Sequence, residues 1–230
     1  MNFRRSRGAR LYVTDPLTES LPLPQRLALS YAPRASRAAI LGLMVLDQRL
    51  AGVVAMGGEA MIAQIKLAWW RDRLTEPREN WPTGEPLLDH FRALAMDPAH
   101  LVPLVDGFEA LLAEDFGEAE LVSYLRGKSL GWAGVTNAGG HGGDSAPIEQ
   151  TARELALFDL DGRLTADCET ALVADATAKE PWMPARLPKA LRPLAVLHAL
   201  AKRARHRGQA ELLEGPAAMA FTMRVGLFGR

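Results

Sequence analysis

The feature that most constrains the fold is a long apolar segment with a helical period, residues 36–56. Its apolar side chains recur three and four residues apart, which is the spacing along one face of an α-helix, at Ile40, Leu43, Met44, Leu46, Leu50, Val53 and Val54. Ser36 is placed to cap the start of this helix, and Gly57 and Gly58 are placed to end it. The segment therefore predicts one long helix.

The rest of the chain is also helical in pattern. Further helices are predicted at 25–31, 59–74, 86–96, 98–114, 118–133, 148–160, 165–177, 189–207 and, more weakly, 215–230. Pro103 is expected to restart or kink its helix, and the Gly-rich stretch 137–147 around His141 is expected to be a flexible connection. Strand signals are poor, because no run alternates apolar and polar residues. We expect a single all-α domain over 1–230, in which residues 1–20 can be flexible.

The predicted helix 59–74 carries two adjacent tryptophans. Its apolar side is expected to consist of Met61, Ile62, Ile65, Ala68 and Trp69. Since neighbouring residues on a helix point about 100° apart, Trp69 and Trp70 cannot share one direction. One should face the core and the other a neighbouring helix or groove. Packing in the core is favoured, and an aromatic wall along an apolar cavity is the functional alternative.

Charge is unevenly distributed along a chain whose net charge is zero. Residues 1–40 carry a net +5 and residues 179–230 a net +7, so the middle, 41–178, carries −12. Such asymmetry is typical of a chain whose basic ends bind an anionic partner. It is equally typical of basic ends that fold back on the acidic middle or stay solvated, and we favour this second interpretation. The basic cluster Lys202–Arg207 ends a predicted helix, where positive charge is favoured anyway, so nucleic acid is not an expected partner.

Several features favour a cytoplasmic protein. The basic N-terminus lacks the apolar run of a secretory signal, and no apolar stretch of about 18 residues is free of charge, so a membrane-spanning helix is not expected. A single cysteine, Cys168, excludes an internal disulfide and a cysteine-based metal cluster.

Asp47 is the acidic residue inside the long apolar helix. A carboxylate beside an apolar face is costly unless it is paired or solvated. It is either a cavity-facing acid or a residue on the polar side, bonded to a neighbouring arginine. The second interpretation is favoured, because a helix needs a polar face in any case.

Two blocks of the sequence carry a family likeness. In 29–54, Tyr31 stands six residues before Arg37 at the entry to the long apolar helix, and in 62–74 the sequence Leu-x-Trp-Trp-Arg includes Trp69, Trp70 and Arg71. With the compatible segments 119–134 and 187–203, these blocks resemble the squalene/phytoene synthase superfamily. The likeness is to its divergent bacterial branch, which is related to the mitochondrial complex I assembly factors.

The resemblance implies an isoprenoid synthase-like helical bundle around a central apolar cavity, with Tyr31, Arg37, Trp69, Trp70 and Arg71 as cavity or motif residues. In active members of the superfamily, two facing Asp-rich motifs of DxxxD type hold Mg²⁺ and ionise prenyl diphosphates. Mg²⁺ requires several oxygen ligands, and the leaving diphosphate requires neutralisation of its charge.

This sequence departs from the family at those motifs. Aligned from Arg37, the first motif falls near Leu50, Ala51 and Val54, so Asp47 is the only acid in that helix. In the region of the second motif, Asp159 and Asp161 are two residues apart and point about 200° apart on a helix. The weak catalytic candidates are therefore Asp47, Asp159 and Asp161, and no metal site or cofactor is expected.

Two functions follow from this departure. The favoured one is a non-catalytic, squalene/phytoene synthase-like protein that binds an isoprenoid or lipid-like ligand, a membrane surface or a protein partner, and acts as an assembly factor. It would be cytoplasmic and peripheral to the inner membrane. The alternative is a divergent, Mg²⁺-dependent prenyltransferase that joins two prenyl diphosphates head to head in isoprenoid, carotenoid or hopanoid biosynthesis.

Overall fold

The computed structural model describes residues 15–55, 60–138, 144–164, 166–183 and 186–228, and these form eleven α-helices and no strand. The helices are α1 (Pro16–Glu19), α2 (Leu23–Ser30), α3 (Arg34–Ala55), α4 (Ala60–Thr75), α5 (Pro86–Arg92), α6 (Val102–Ala110), α7 (Glu118–Ala138), α8 (Ala146–Asp161), α9 (Asp167–Lys179), α10 (Arg192–His206) and α11 (Pro216–Phe228). The prediction of an all-α fold is confirmed. Residues 1–14, Gly57, Gly58 and His141 lie outside the described residues.

The long helix α3 lies at the centre of the packing. Residues 40–47 are buried without interruption, so this part of α3 is covered on all sides rather than along one stripe. It packs against α1, α2, α4, α5, α6 and α7. A helix apolar on every side is stable in water only when other helices surround it, and this places the core along α3.

The start of α3 differs from the prediction. The helix begins at Arg34, directly after Pro33, so the expectation that Ser36 caps it is wrong. The Ser36 hydroxyl lies inside the first turn and donates a hydrogen bond to the carbonyl of Ala190, 3.1 Å away. Proline fixes a backbone angle suited to helix entry, which removes the need for a serine cap here.

By length and composition alone, α3 could also cross a membrane, and it is one helix of this kind among the described residues. More than half of its apolar window, 56%, is buried inside the chain. Central helices of helical bundles meet the same criterion of length and composition.

The buried face of α4 was predicted wrongly. Met61, Ile62 and Ile65 are 67%, 49% and 63% exposed, although the sequence favoured them as the apolar side. The buried residues are instead Leu67, Trp70 and Leu74 in the second half of the helix. Helix α4 packs against α3, α6 and the 3-10 turn Pro98–Leu101, and its first half presents apolar side chains to solvent.

Pro103 restarts a helix, as predicted. Asp97 caps a short 3-10 turn at Pro98–Leu101 by accepting a hydrogen bond from the Ala99 amide, and α6 then begins at Val102. Because proline lacks an amide hydrogen, it is tolerated in the first turn of α6. The helix ends at Ala110, earlier than the sequence predicted.

Candidate functional site

Three central helices each direct one charged side chain into a single small cavity. Asp47 comes from α3, Lys128 from α7 and Asp159 from α8, and all three line the same space. Asp47 and Lys128 are buried, and Asp159 is half-buried. Charged side chains are rarely buried unless they are paired, so this cluster distinguishes itself from an ordinary core.

The ammonium of Lys128 is the centre of this cluster. Its Nζ donates a hydrogen bond to Oδ1 of Asp47 at 2.6 Å, and the two side chains are only 5% and 11% exposed. The ammonium also lies 5.5 Å from the ring centre of Phe108 and 5.9 Å from that of Tyr124. Ring faces attract cations, so Lys128 is held as a resident cation by one carboxylate and two aromatic rings.

The surroundings shift the pKa values of the cluster. Burial by itself would lower the pKa of Lys128, but the charges of Asp47 and Asp159 outweigh it and raise the pKa above its ordinary value. Burial raises the pKa of Asp159, while the charge of Lys128 opposes that shift. Burial also raises the pKa of Tyr124 to about 12. Lys128 is therefore charged and Tyr124 neutral at physiological pH.

The cavity itself is small. Its volume is about 30 Å³. One buried water molecule needs roughly 10–15 Å³, so the cavity has room for about two. Besides the three charged residues, it is lined by Gln25, Leu43, Met44, Leu104, Trp132, Leu155, Leu197 and Leu212. The space next to the charges can hold solvent or a small polar group but not a prenyl chain.

The three acids that the sequence singled out separate in the structure. Asp47 faces the cavity, so the favoured interpretation of a polar-side residue bonded to a neighbouring arginine is wrong. Arg49 instead pairs with Glu85 at 2.5 Å. Asp159 joins Asp47 at the cavity, whereas Asp161 is exposed at the end of α8. This separation follows from their two-residue spacing on a helix.

The residues of the cavity do not fit a Mg²⁺–diphosphate clamp. Among the described residues, no group of three or more aspartate, glutamate, histidine or cysteine side chains is placed to hold a metal ion. The Asp47 carboxylate already bonds an ammonium, and a Mg²⁺ ion would have to displace that cation to reach it. Mg²⁺ also keeps several waters in its octahedral shell, and a cavity of about 30 Å³ has no room for that hydrated ion and a diphosphate.

Two of the residues that the resemblance implied as cavity or motif residues join helices to one another. Arg37 donates a hydrogen bond from Nη1 to the carbonyl of Leu29 at 2.7 Å, which ties α3 to α2. Tyr31, at the end of α2, packs its ring on Gly226 of α11, where an added Cβ would lie 2.4 Å from ring atoms. Both residues thus act in packing between helices.

The other three motif residues lie together on α4. Trp70 is buried and Trp69 half-buried, with their ring centres 4.9 Å apart in an edge-to-face contact. This agrees with the prediction that the two rings point in different directions. Arg71 pairs with Asp106, 2.6 Å away, and with Glu109 on α6. None of the five motif residues is among the described residues lining the cavity around Lys128.

Sequence reasoning missed Lys128. A signal for its burial exists in the glycines of α7, Gly127, Gly131 and Gly134, which recur at helical spacing and mark a face of close helix contact. A Cβ on Gly131 would lie 3.2 Å from Leu43, so α7 lies directly against α3 at this level. Because the glycines bring α7 close to α3 and α6, the lysine next to Gly127 is buried between these helices.

A second buried polar cluster was also missed. Glu154 of α8 and His198 of α10 are 1% and 2% exposed and bond to each other through Oε2 and Nε2. Glu154 Oε1 accepts further hydrogen bonds from Gln150 Nε2 and the Trp182 amide, both at 2.9 Å. Burial would raise the pKa of Glu154, but these hydrogen bonds outweigh it and lower the pKa.

A larger, mainly apolar cavity lies further along α3. Its volume is about 270 Å³, and it is lined by Ala51, Val54, Ala55, Phe108, Leu111, Phe116, Leu160, Arg163, Leu164 and Glu169. Phe108 connects it to the Lys128 cluster. Arg163, one turn after Asp159, and Glu169 contribute its charges.

Comparisons with protein-family models, with curated proteins and with solved structures found no match.

Proposed function

We propose that this chain is a non-catalytic protein with a squalene/phytoene synthase-like scaffold, and that it binds a lipid-like ligand or a partner in the assembly of a membrane complex. The observation that carries the proposal is the buried ion pair between Lys128 and Asp47. Where the resemblance implies a metal clamp, the cation beside the carboxylate is a lysine ammonium.

The resident ammonium bears directly on catalysis. Ionising a prenyl diphosphate requires cations that neutralise the leaving group as its charge develops. Lys128 is held by Asp47 and two rings in a cavity of about 30 Å³, so protein groups already compensate its charge. A chain with this pair is expected to bind no prenyl diphosphate through Mg²⁺.

The apolar cavity supports binding of a lipid-like ligand. Ala51 and Val54, which align with positions of the first Asp-rich motif, line it with hydrocarbon instead of carboxylate. Its volume of about 270 Å³ is slightly below the range of roughly 300–1,000 Å³ typical of ligand pockets. It suits one short apolar chain, or part of a longer one, better than two prenyl substrates side by side.

The assembly role and the location rest on the resemblance and on charge. The likeness to respiratory assembly factors favours a partner in a membrane complex. Given such a role, the net charges of +5 in 1–40 and +7 in 179–230 suit an anionic surface. We accordingly place the protein in the cytoplasm, at the periphery of the inner membrane.

A direct test incubates the purified chain with Mg²⁺ and farnesyl or geranylgeranyl diphosphate and measures released pyrophosphate. The proposal expects no release above a protein-free blank. The alternative function, a divergent prenyltransferase, is favoured by one observation, the convergence of Asp47 and Asp159 on one cavity.

Three variants distinguish the two functions. If the chain is a prenyltransferase, pyrophosphate release should disappear in Asp47→Asn and in Asp159→Asn. It should persist in the matched control Asp161→Asn, because Asp161 is exposed at the end of α8. That pattern of release would contradict the proposal and establish that the chain is a prenyltransferase.

A further inference from the structure

The C-terminal helix α11 has two different faces. Its inner face consists of residues three and four apart that are buried, namely Ala218, Thr222, Val225 and Gly226. This face packs on α10, and Tyr31 closes over Gly226. The contacts fix which side of α11 points outward.

The outward face is apolar. Met223, Leu227 and Phe228 are 51%, 67% and 71% exposed, and the first two lie one turn apart on the same side. They account for three of the nine large apolar residues exposed among the described residues. Exposed apolar side chains clustered on one short helix are typical of an interaction surface, and α4 presents a cluster of the same size.

The charged side chain on this face is basic, and the exposed acids nearest to it in the sequence, Glu211 and Glu214, precede the start of α11. Residues 215–230 contain no aspartate or glutamate, while Arg224 lies between Met223 and Leu227 and is itself exposed. The surface thus combines apolar side chains with positive charge.

We infer that the outward face of α11, formed by Met223, Arg224, Leu227 and Phe228, docks on an anionic membrane surface. This inference deepens the proposed function by naming the surface through which the protein would reach the membrane. Apolar side chains enter the boundary between headgroups and acyl chains, while the arginine stays at the level of the anionic headgroups.

Charge complementarity distinguishes this occupant from a second copy of the chain. Two copies meeting through this face would bring Arg224 of each close to the other, with no acid in 215–230 to compensate. Anionic lipid supplies the missing negative charge, which attracts the arginine of this face. Three exposed apolar residues add only modestly to the free energy of membrane binding, so we expect the binding to be reversible and sensitive to salt.

The test is sedimentation of the full chain with vesicles of phosphatidylcholine alone and of phosphatidylcholine mixed with phosphatidylglycerol. We expect binding to the mixed vesicles and little to the neutral ones. The double variant Met223→Ser/Leu227→Ser should lower the bound fraction at least about tenfold, and Arg224→Gln should lower it less and weaken its salt dependence. Circular dichroism checks that each variant keeps its helices.

A matched control comes from α4. Met61→Ser/Ile65→Ser removes two side chains of similar exposure from another helix, and it should leave vesicle binding unchanged. Binding that is equal in neutral and mixed vesicles, or lost equally in both double variants, would overturn the inference. So would self-association without lipid that Met223→Ser/Leu227→Ser abolishes, since a second copy would then occupy the face.

The outcome is independent of the catalytic question. If the chain does not bind the mixed vesicles, the docking surface on α11 is contradicted, but the expected absence of pyrophosphate release is not affected. Conversely, pyrophosphate release would contradict the proposed function whether or not α11 binds lipid.

Discussion

Gly127 of α7 lies against Gly107 of α6 so closely that a Cβ on Gly127 would fall 2.8 Å from the Gly107 Cα and 2.3 Å from the Pro103 carbonyl oxygen. Both obstacles are backbone atoms, which cannot rotate away as a side chain could. The next residue along α7 is Lys128, the cation of the central cavity. The close crossing of α6 and α7 therefore sets the position of that ammonium against Asp47 and Phe108.

The first prediction concerns this crossing. Gly127→Ala should lower the free energy of unfolding by about 1–3 kcal/mol or more, because the helices must separate to admit the methyl group. Gly52→Ala is the matched control in α3, since its Cβ would meet nothing within 4 Å. It should raise stability by about 0.5–1 kcal/mol through the better helix propensity of alanine. Urea unfolding measures both, and equal stability of Gly127→Ala and the wild type would contradict the crossing.

The second prediction concerns the buried ion pair. Lys128→Ala leaves the Asp47 carboxylate buried without its cation and should destabilise the fold by about 3–5 kcal/mol. Replacing both residues, as Asp47→Leu/Lys128→Met, should recover most of the loss, because the carboxylate and the ammonium of this pair are then both absent. The measurement is the midpoint and slope of denaturant unfolding for the two variants. A double variant as unstable as Lys128→Ala would show that the pair acts through something other than charge compensation.

The third prediction concerns Glu154 and pH. The pKa of Glu154 is lowered in the fold below its ordinary value of 4.5. Its contribution to stability is therefore fully present above pH 4.5 and is lost as pH falls through the lower folded value. At neutral pH, Glu154→Gln should cost about 1.5–3 kcal/mol, since hydrogen bonds to a charged group are the stronger ones.

The pH dependence of that difference is the check. Unfolding free energies of wild type and Glu154→Gln, measured from neutral pH downward, should converge as pH drops below 4.5. A gap that stays constant over this range would mean that Glu154 stabilises the fold without its charge. Helical content followed by circular dichroism establishes that both chains start from the same fold.

Much of the fold could be predicted from local patterns. The periodic apolar residues of 36–56 predicted the helix α3, and Pro103 predicted the restart of α6, because both signals act within one or two turns of chain. The helical class followed from the same periodicity. The start of α3 was predicted less well, since a proline and a serine both offered a helix entry and Pro33 provided it.

Less of the candidate site could be predicted. Asp47 was recognised as an unusual acid in an apolar helix, but its partner Lys128 lies 81 residues away along the chain. Lysines are usually solvated, so nothing local distinguished this one except the glycines beside it. The Glu154–His198 pair, 44 residues apart, escaped for the same reason.

The sequence by itself determined where helices form and which residues on them are apolar, because periodicity and proline act through short-range backbone geometry. Only the tertiary structure decided which apolar faces are covered. Met61 and Leu227 stay exposed while Leu67 and Val225 are buried, although hydropathy treats these residues alike. Burial depends on which helices meet, and the contacts between distant segments that join Lys128 to Asp47 arise only when the chain has packed.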